Sequence, residues 1–277
     1  MAQPAIEAFF LDGTAGRLFC LLHQPPAGVT PRGAVVYLAP FAEEMNKSRR
    51  MAALQARALA GAGWWVLQPD LTGCGDSEGD FGIATWNLWI DDALRAVDWL
   101  HARSGLLPVP WGLRAGCLLA AAVARARPEI RRLLFWQPVT SGKQHLQQFL
   151  RLKVAGAMLA EGRQGAEGTR QLRKQLQEGD AVEVAGYMLN PGLALGLDAA
   201  TLAPSDAGGQ VIWFEVSSAD VPEISPASRQ WLALWQAAGW QVDANVVAGA
   251  GFWQTQEIEE VPSLIEVTAT AMARAAA

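Results

Sequence analysis

The sequence predicts an α/β fold built on a mostly parallel sheet, from three observations. Short apolar runs alternate with stretches of helical periodicity, which is typical of β–α–β units. The run at 34–38 is apolar throughout, as expected for a strand buried on both faces. The chain has 277 residues, of which 51% are hydrophobic and 18% charged, a globular composition. We expect one domain spanning residues 1–277.

The elements follow in chain order from an N-terminal hairpin, whose strands at 6–11 and 18–23 flank a turn containing Gly13 and Gly16. Two prolines, Pro108 and Pro110, are unfavourable in a central strand. Further strands are predicted at 34–38, 64–67, 106–111, 132–136, 210–215 and 241–247, and helices at 48–62, 85–103, 114–126, 226–238 and 261–275.

The alternation of strands and helices breaks between residues 141 and 205, which are rich in Gln, Arg, Gly and Ala. A charged stretch within them, 164–180, predicts a solvated helix. Because the alternation of strands and helices resumes at residue 210, we interpret 141–205 as a cap inserted into the domain. We expect the helices of the rest of the domain to lie on both faces of the sheet.

Charge and composition exclude several classes of protein. The net charge is −5 and the isoelectric point about 5.3, which argues against a nucleic-acid binder. The three cysteines, Cys20, Cys74 and Cys117, have no paired spacing, so neither a disulfide framework nor a cysteine zinc site is expected. The sequence contains no window of roughly 18 uncharged apolar residues, so membrane insertion is not expected. We expect a cytoplasmic protein without a metal or cofactor.

The loops that follow the strands carry the recognisable motifs, where ligands bind in open parallel sheets. Residues 69–77 read P-D-L-T-G-C-G-D-S, and residues 112–116 read G-L-R-A-G between a strand and a helix. Asp220 follows the next-to-last strand, and Phe252 follows the last. This ordered set resembles the α/β-hydrolase superfamily, whose nucleophile elbow reads G-x-S-x-G and whose acid and histidine follow in that order.

Three segments carry a closer resemblance. Residues 40–49 (P-F-A-E-E-M-N-K-S-R), 111–114 (W-G-L-R) and 251–253 (G-F-W) resemble the exosortase A system-associated hydrolase 2 family. The resemblance implies a bacterial protein with a role near exopolysaccharide production and protein sorting, and a protein of that system as a possible partner.

The positions that match the catalytic triad of the superfamily lack two of its groups. Arg114 stands in the nucleophile position and Phe252 in the histidine position, while Asp220 fits the acid position. A guanidinium stays protonated and has no lone pair with which to attack a carbonyl. His145 and Cys117 are the candidate substitutes, although packing roles suit both.

Two parts of a binding site remain. Backbone N–H groups of Phe41 or Ala42 and of Ala115 match the oxyanion hole, which does not depend on the nucleophile. Arg114, if buried, needs an anion. It either forms an internal salt bridge or binds a ligand carboxylate or phosphate. The candidates for its partner or for ligand contacts are Glu43, Glu44, Asp220, Glu215 and Trp253.

Three functions therefore stay open. The first is a non-hydrolytic protein whose altered pocket binds a small acyl, carboxylate or similar ligand. The second is an active ester or thioester hydrolase that uses a nonstandard nucleophile or a water molecule. The third is a protein-interaction scaffold.

Overall fold

The computed structural model describes residues 5–161 and 165–275. Its strands are β1 (Ile6–Asp12), β2 (Arg17–His23), β3 (Gly33–Leu38), β4 (Trp64–Pro69), β5 (Pro108–Leu113), β6 (Arg132–Trp136), β7 (Val182–Val184), β8 (Tyr187–Leu189), β9 (Gly209–Ser217) and β10 (Trp240–Ala248). Eight of them form one sheet in the order β1-β2-β4-β3-β5-β6-β9-β10. β2 pairs antiparallel with β1 and β4, and the other pairs are parallel. The predicted mostly parallel sheet is confirmed.

Helices cover both faces of this sheet, as predicted. α1 and α8 share one apolar core with the sheet, and α2, α3 and α7 share the core on the opposite face. The helices are α1 (Glu43–Gly61), α2 (Trp86–Ser104), α3 (Gly116–Ala126), α4 (Gly142–Glu161), α5 (Gly165–Glu178), α6 (Pro191–Ala199), α7 (Pro226–Ala237) and α8 (Pro262–Ala275).

Several predicted boundaries differ from those of the structure. The helix expected at 48–62 begins at Glu43. Two acidic residues in its first turn stabilise this start, because their charges interact favourably with the positive end of the helix dipole. The helix expected at 114–126 begins at Gly116, because Arg114 belongs to the preceding turn. The strand expected at 106–111 runs from Pro108 to Leu113.

The prolines of β5 are compatible with its central place in the sheet. N–H groups two residues apart in a strand point to the same neighbour. The N–H of Arg114 donates to the carbonyl of Trp136 at the end of β6, so the positions of Pro108 and Pro110 also face β6. Pairing between β5 and β6 starts only at Trp111, so neither proline leaves a ladder hydrogen bond unmade.

The segment 141–205 leaves the sheet after β6 and returns at β9, which pairs directly with β6. It contains α4, α5, the β7–β8 hairpin and α6. α4 packs on α5 and α6, and α6 packs on α2. The start of the helix expected at 164–180 lies outside the described residues, and α5 ends at Glu178. Because the segment packs on the sheet domain without adding a strand to its sheet, we propose that 141–205 is a cap.

Within the described ranges, no helix has the combination of length and apolar character that crossing a membrane requires.

Candidate functional site

The turn between β5 and α3 is tight and places Arg114 at its apex. Arg114 has a φ of 55°, a left-handed conformation that non-glycine residues seldom adopt. A Cβ at Gly112 would lie 2.5 Å from the Cα of Cys117, and one at Gly116 would lie 2.1 Å from the carbonyl oxygen of Leu38. Both positions therefore require glycine, as the motif at 112–116 predicts for a sharp strand-to-helix turn.

The side chain of Arg114 is paired with Glu44 in the first turn of α1. Its Nε and Nη2 both donate to Oε1 of Glu44, at 3.2 and 3.1 Å. The two side chains are only 17% and 14% exposed. The guanidinium also lies over the ring of Trp253, 5.4 Å from its centroid. Of the four anions considered as partners, the structure selects Glu44.

A cavity of about 210 Å³ adjoins this ion pair. Burial raises the pKa of Glu44, and the nearby charge of Arg114 opposes that shift. The walls combine aromatic rings with charged groups from four parts of the chain. They comprise Phe41, Glu43, Glu44, Lys47, Arg114, His145, Gln148, Phe149, Leu152, Trp253 and Gln254.

His145 reaches this cavity from α4 and is 6% exposed. Burial, with a smaller contribution from the charge of Arg114, lowers the pKa of His145 to about 3. The ring is therefore neutral at neutral pH, and its Nδ1 has no hydrogen-bond partner in the described part of the chain. A base with so low a pKa takes a proton poorly, and no carboxylate of the described residues is hydrogen-bonded to the ring.

The thiols are also unsuited to nucleophilic attack. Cys117 is fully buried in α3, where its Sγ lies 3.7 Å from the carbonyl oxygen of Trp136, and burial raises its pKa. Cys74 is also buried, and burial raises the pKa of Cys74 to about 12. Both thiols are protonated at neutral pH.

The structure does not bring Asp220 or Phe252 to the cavity. Asp220 is exposed in the loop after β9. Phe252 is buried and packs against Trp136 and Trp253, at centroid distances of 6.2 and 5.1 Å. The carboxylate of Glu215 accepts the backbone N–H of Ser225.

The backbone groups matched to an oxyanion hole remain available. Phe41 and Ala42 precede α1, and Ala115 precedes α3; all three are buried. Across the described ranges, no protein acceptor takes a hydrogen bond from their N–H groups. Ala42 has a φ of 52°, so a second strained residue lies beside the same cavity.

Sequence reasoning missed part of the cavity wall. Gln148, Phe149 and Leu152 line it together with His145, and their spacing of three, four and seven residues along α4 is the signal that could have found them. Lys47 also lines the cavity, and its Nζ donates to the carbonyl oxygen of Gln254 at 3.3 Å.

The P-D-L-T-G-C-G-D-S loop is held by its own hydrogen bonds and an ion pair. Asp70 accepts the N–H of Asp76 and pairs with Arg49. The hydroxyl of Ser77 donates to the carbonyl of Asp70 and accepts the N–H of Phe19. Ser77 therefore holds the local backbone. Among the described residues, no cluster of three or more His, Cys, Asp or Glu could hold a metal ion.

Solved structures share this architecture at low sequence identity. Est1E from Butyrivibrio proteoclasticus, with ferulic acid bound, superposes with a TM-score of 0.72 at 15% identity over 97% of this chain and 99% of that one. Hypothetical protein PA2218 from Pseudomonas aeruginosa gives 0.65 at 12% identity, over 99% and 95%. XC6422 from Xanthomonas campestris, an α/β serine hydrolase without a lid, gives 0.57 at 13%, over 98% and 93%.

No curated protein matches the sequence. The family described as serine aminopeptidase, S33, matches residues 30–202, which is more than half of the chain. The strand order, the tight β5–α3 turn and the structural relatives agree with that match. The chain therefore belongs to the serine aminopeptidase S33 family of α/β-hydrolases.

Proposed function

We propose that this protein is a non-hydrolytic member of its family that holds a small ligand in the cavity beside Arg114. The observation that carries the proposal is the position of Arg114 in the β5–α3 turn, where G-x-S-x-G enzymes carry their nucleophile. The guanidinium cannot attack a carbonyl. Phe252 follows β10, where the histidine of the triad is expected, and cannot accept a proton.

A small acyl or carboxylate compound was the ligand expected from the sequence. The cavity volume and the free backbone N–H groups support binding of a carbonyl-bearing ligand. The pairing of Arg114 with Glu44 makes a carboxylate ligand less favourable than an acyl ligand, because a ligand carboxylate has to compete with Glu44 for the guanidinium.

Hydrolysis of an ester or thioester by a water molecule is the second candidate function. The family and the available N–H groups favour it. The pKa of about 3 for His145, caused by its burial, argues against it because the imidazole is then a weak base. Non-hydrolytic binding is the better supported of the two.

We also propose that the protein is bacterial, acts in the cytoplasm and serves the exosortase A and exopolysaccharide system. The likeness of residues 40–49, 111–114 and 251–253 to the exosortase-associated family supports the association. Three buried thiols without a disulfide support a reducing compartment.

Treatment with a fluorophosphonate that labels serine hydrolases tests the proposal. We expect the intact mass of the purified protein to stay unchanged, because no activated hydroxyl lies at the β5–α3 turn. A serine esterase treated in parallel serves as the control and should gain one adduct. An adduct on this protein that peptide mapping places on any residue lining the cavity would contradict the proposal.

A further inference from the structure

We infer that a second cavity of the protein, between α1 and the sheet, binds a small uncharged compound that combines an apolar body with an acceptor oxygen, such as a ketone. This cavity has a volume of about 210 Å³ and is formed by α1, β2, β3, β4 and the residues just after β3 and β4. It shares no wall residue with the cavity beside Arg114. The inference therefore goes beyond the proposed function and does not depend on it.

Most of the wall of this cavity is apolar. Phe19 and Leu21 contribute from β2, and Ala52 and Ala53 of α1 lie across from the sheet. Because an alanine side chain is a single methyl group, α1 leaves space here that larger residues would fill. A cavity of about 150 Å³ is large enough for benzene, so a volume of about 210 Å³ suits one ring with a short substituent.

Tyr37 supplies a hydrogen-bond donor that has no protein partner. Its side chain lines the cavity and is 6% exposed, and its hydroxyl makes no hydrogen bond to any residue that the structure describes. Burial raises the pKa of Tyr37, so the hydroxyl keeps its proton at neutral pH. A buried hydroxyl without a partner is unfavourable, and an acceptor oxygen of a ligand removes that penalty.

Gln68 adds further donors, while the side-chain acceptors of the wall are engaged. Its Oε1 accepts a hydrogen bond from Nε2 of His23 at 2.9 Å, and its Nε2 has no acceptor in the described part of the chain. The carboxylate of Asp70 accepts from Arg49 and from the backbone N–H of Asp76. An acceptor oxygen on the ligand therefore matches the free groups of the wall.

The two charged side chains of the wall balance each other, which selects against an ion. Nη2 of Arg49 donates to both carboxylate oxygens of Asp70, at 3.3 Å each. A ligand carboxylate would lie near Asp70 and a ligand ammonium near Arg49, and either ion loses its hydration in this cavity. An uncharged ligand meets neither penalty.

Titration with acetophenone, isopropylbenzene and benzoate tests the inference. The three share one ring and a similar shape, but isopropylbenzene lacks the acceptor and benzoate adds a charge. Met45 lines the cavity and is 9% exposed, so its methyl resonance, isotopically labelled for NMR, reports occupancy. We expect acetophenone to bind about fivefold more tightly than isopropylbenzene, through hydrogen bonds to Tyr37 and Gln68, and more tightly than benzoate.

Three variants locate the bound probe. Tyr37→Phe removes only the hydroxyl and should abolish most of the preference for acetophenone over isopropylbenzene. Tyr187→Phe also removes a hydroxyl, but Tyr187 lies in β8 outside this cavity, so the preference should stay unchanged. Ala53→Leu fills the cavity and should abolish the response of Met45 to the probes.

Equal binding of acetophenone and isopropylbenzene would overturn the inference, as would a preference that survives in Tyr37→Phe. A Met45 resonance that moves with none of the probes would show that the cavity takes no such ligand. Binding that persists in Ala53→Leu would place the probe elsewhere and would also contradict the inference. A covalent adduct or ester turnover, which would contradict the proposed function, leaves the response of Met45 unaffected.

Discussion

Replacing Gly116 by alanine should destabilise the protein by about 3 kcal/mol, at the upper end of the range for overpacked sites. The added Cβ would lie 2.1 Å from the carbonyl oxygen of Leu38 and 2.8 Å from that of Ala39. Both are backbone atoms at the end of β3, so α3 itself must move away from the sheet. The intrinsic gain in helix propensity, at most about 1 kcal/mol, does not offset this displacement.

Gly61→Ala is the matched control, because Gly61 also lies in a helix, at the end of α1, and has open space around its Cβ position. This variant should be as stable as the wild type or gain up to about 1 kcal/mol. Urea unfolding followed by circular dichroism measures both variants. Equal stability of Gly116→Ala and Gly61→Ala would show that the turn holding Arg114 is not as tight as described.

The second large effect is expected at the Arg114–Glu44 ion pair. Glu44→Ala leaves the guanidinium of Arg114 in a largely buried site without its anion, and should destabilise the protein by about 2–3 kcal/mol. This value is below the loss for a fully buried pair, since both side chains retain some exposure. Arg114→Met combined with Glu44→Leu removes both charges and fills the space, so the double variant should be close to the wild type in stability.

Glu260→Ala provides the comparison for an exposed ion pair. Glu260 pairs with Arg50 on the surface, where the side chains are 37% and 56% exposed, and its loss should change stability by less than about 1 kcal/mol. Chemical denaturation of the wild type, Arg114→Met, Glu44→Leu and the double variant measures the coupling between Arg114 and Glu44. If the double variant loses the sum of the losses of Arg114→Met and Glu44→Leu, the two side chains do not act as a pair.

Much of the fold could be predicted because its signals are local. Apolar runs mark the buried strands, and the G-L-R-A-G sequence at 112–116 marks a turn that only small residues permit. The start of α1 was placed five residues too late, because the apolar periodicity begins only after its acidic first turn. The position of Pro108 and Pro110 in a central strand depends on where pairing with β6 begins, which no local signal reveals.

The site was only partly predictable, since it depends on which side chains meet across the fold. The order of the loops indicated a strand-to-helix turn around Arg114 and named Trp253 as a candidate for ligand contacts, and in the structure the guanidinium lies over the ring of Trp253. The order of the loops does not reveal which of the four candidate anions pairs with Arg114, which is Glu44 in the structure. It also does not reveal that Asp220 is exposed to solvent. The contribution of α4 to the cavity depends on how the segment 141–205 packs on the sheet domain, which sequence periodicity alone does not determine.

Hydrolysis of p-nitrophenyl esters of increasing chain length tests the central claim most directly, since it detects ester hydrolysis in this cavity whichever residue supplies the base. The purified protein should give the same rate as buffer, and Arg114→Ala should not differ from it. Turnover above buffer that persists across preparations and falls in His145→Gln, but not in the control His101→Gln at an exposed residue of α2, would contradict the account and establish a hydrolase with an unusual base.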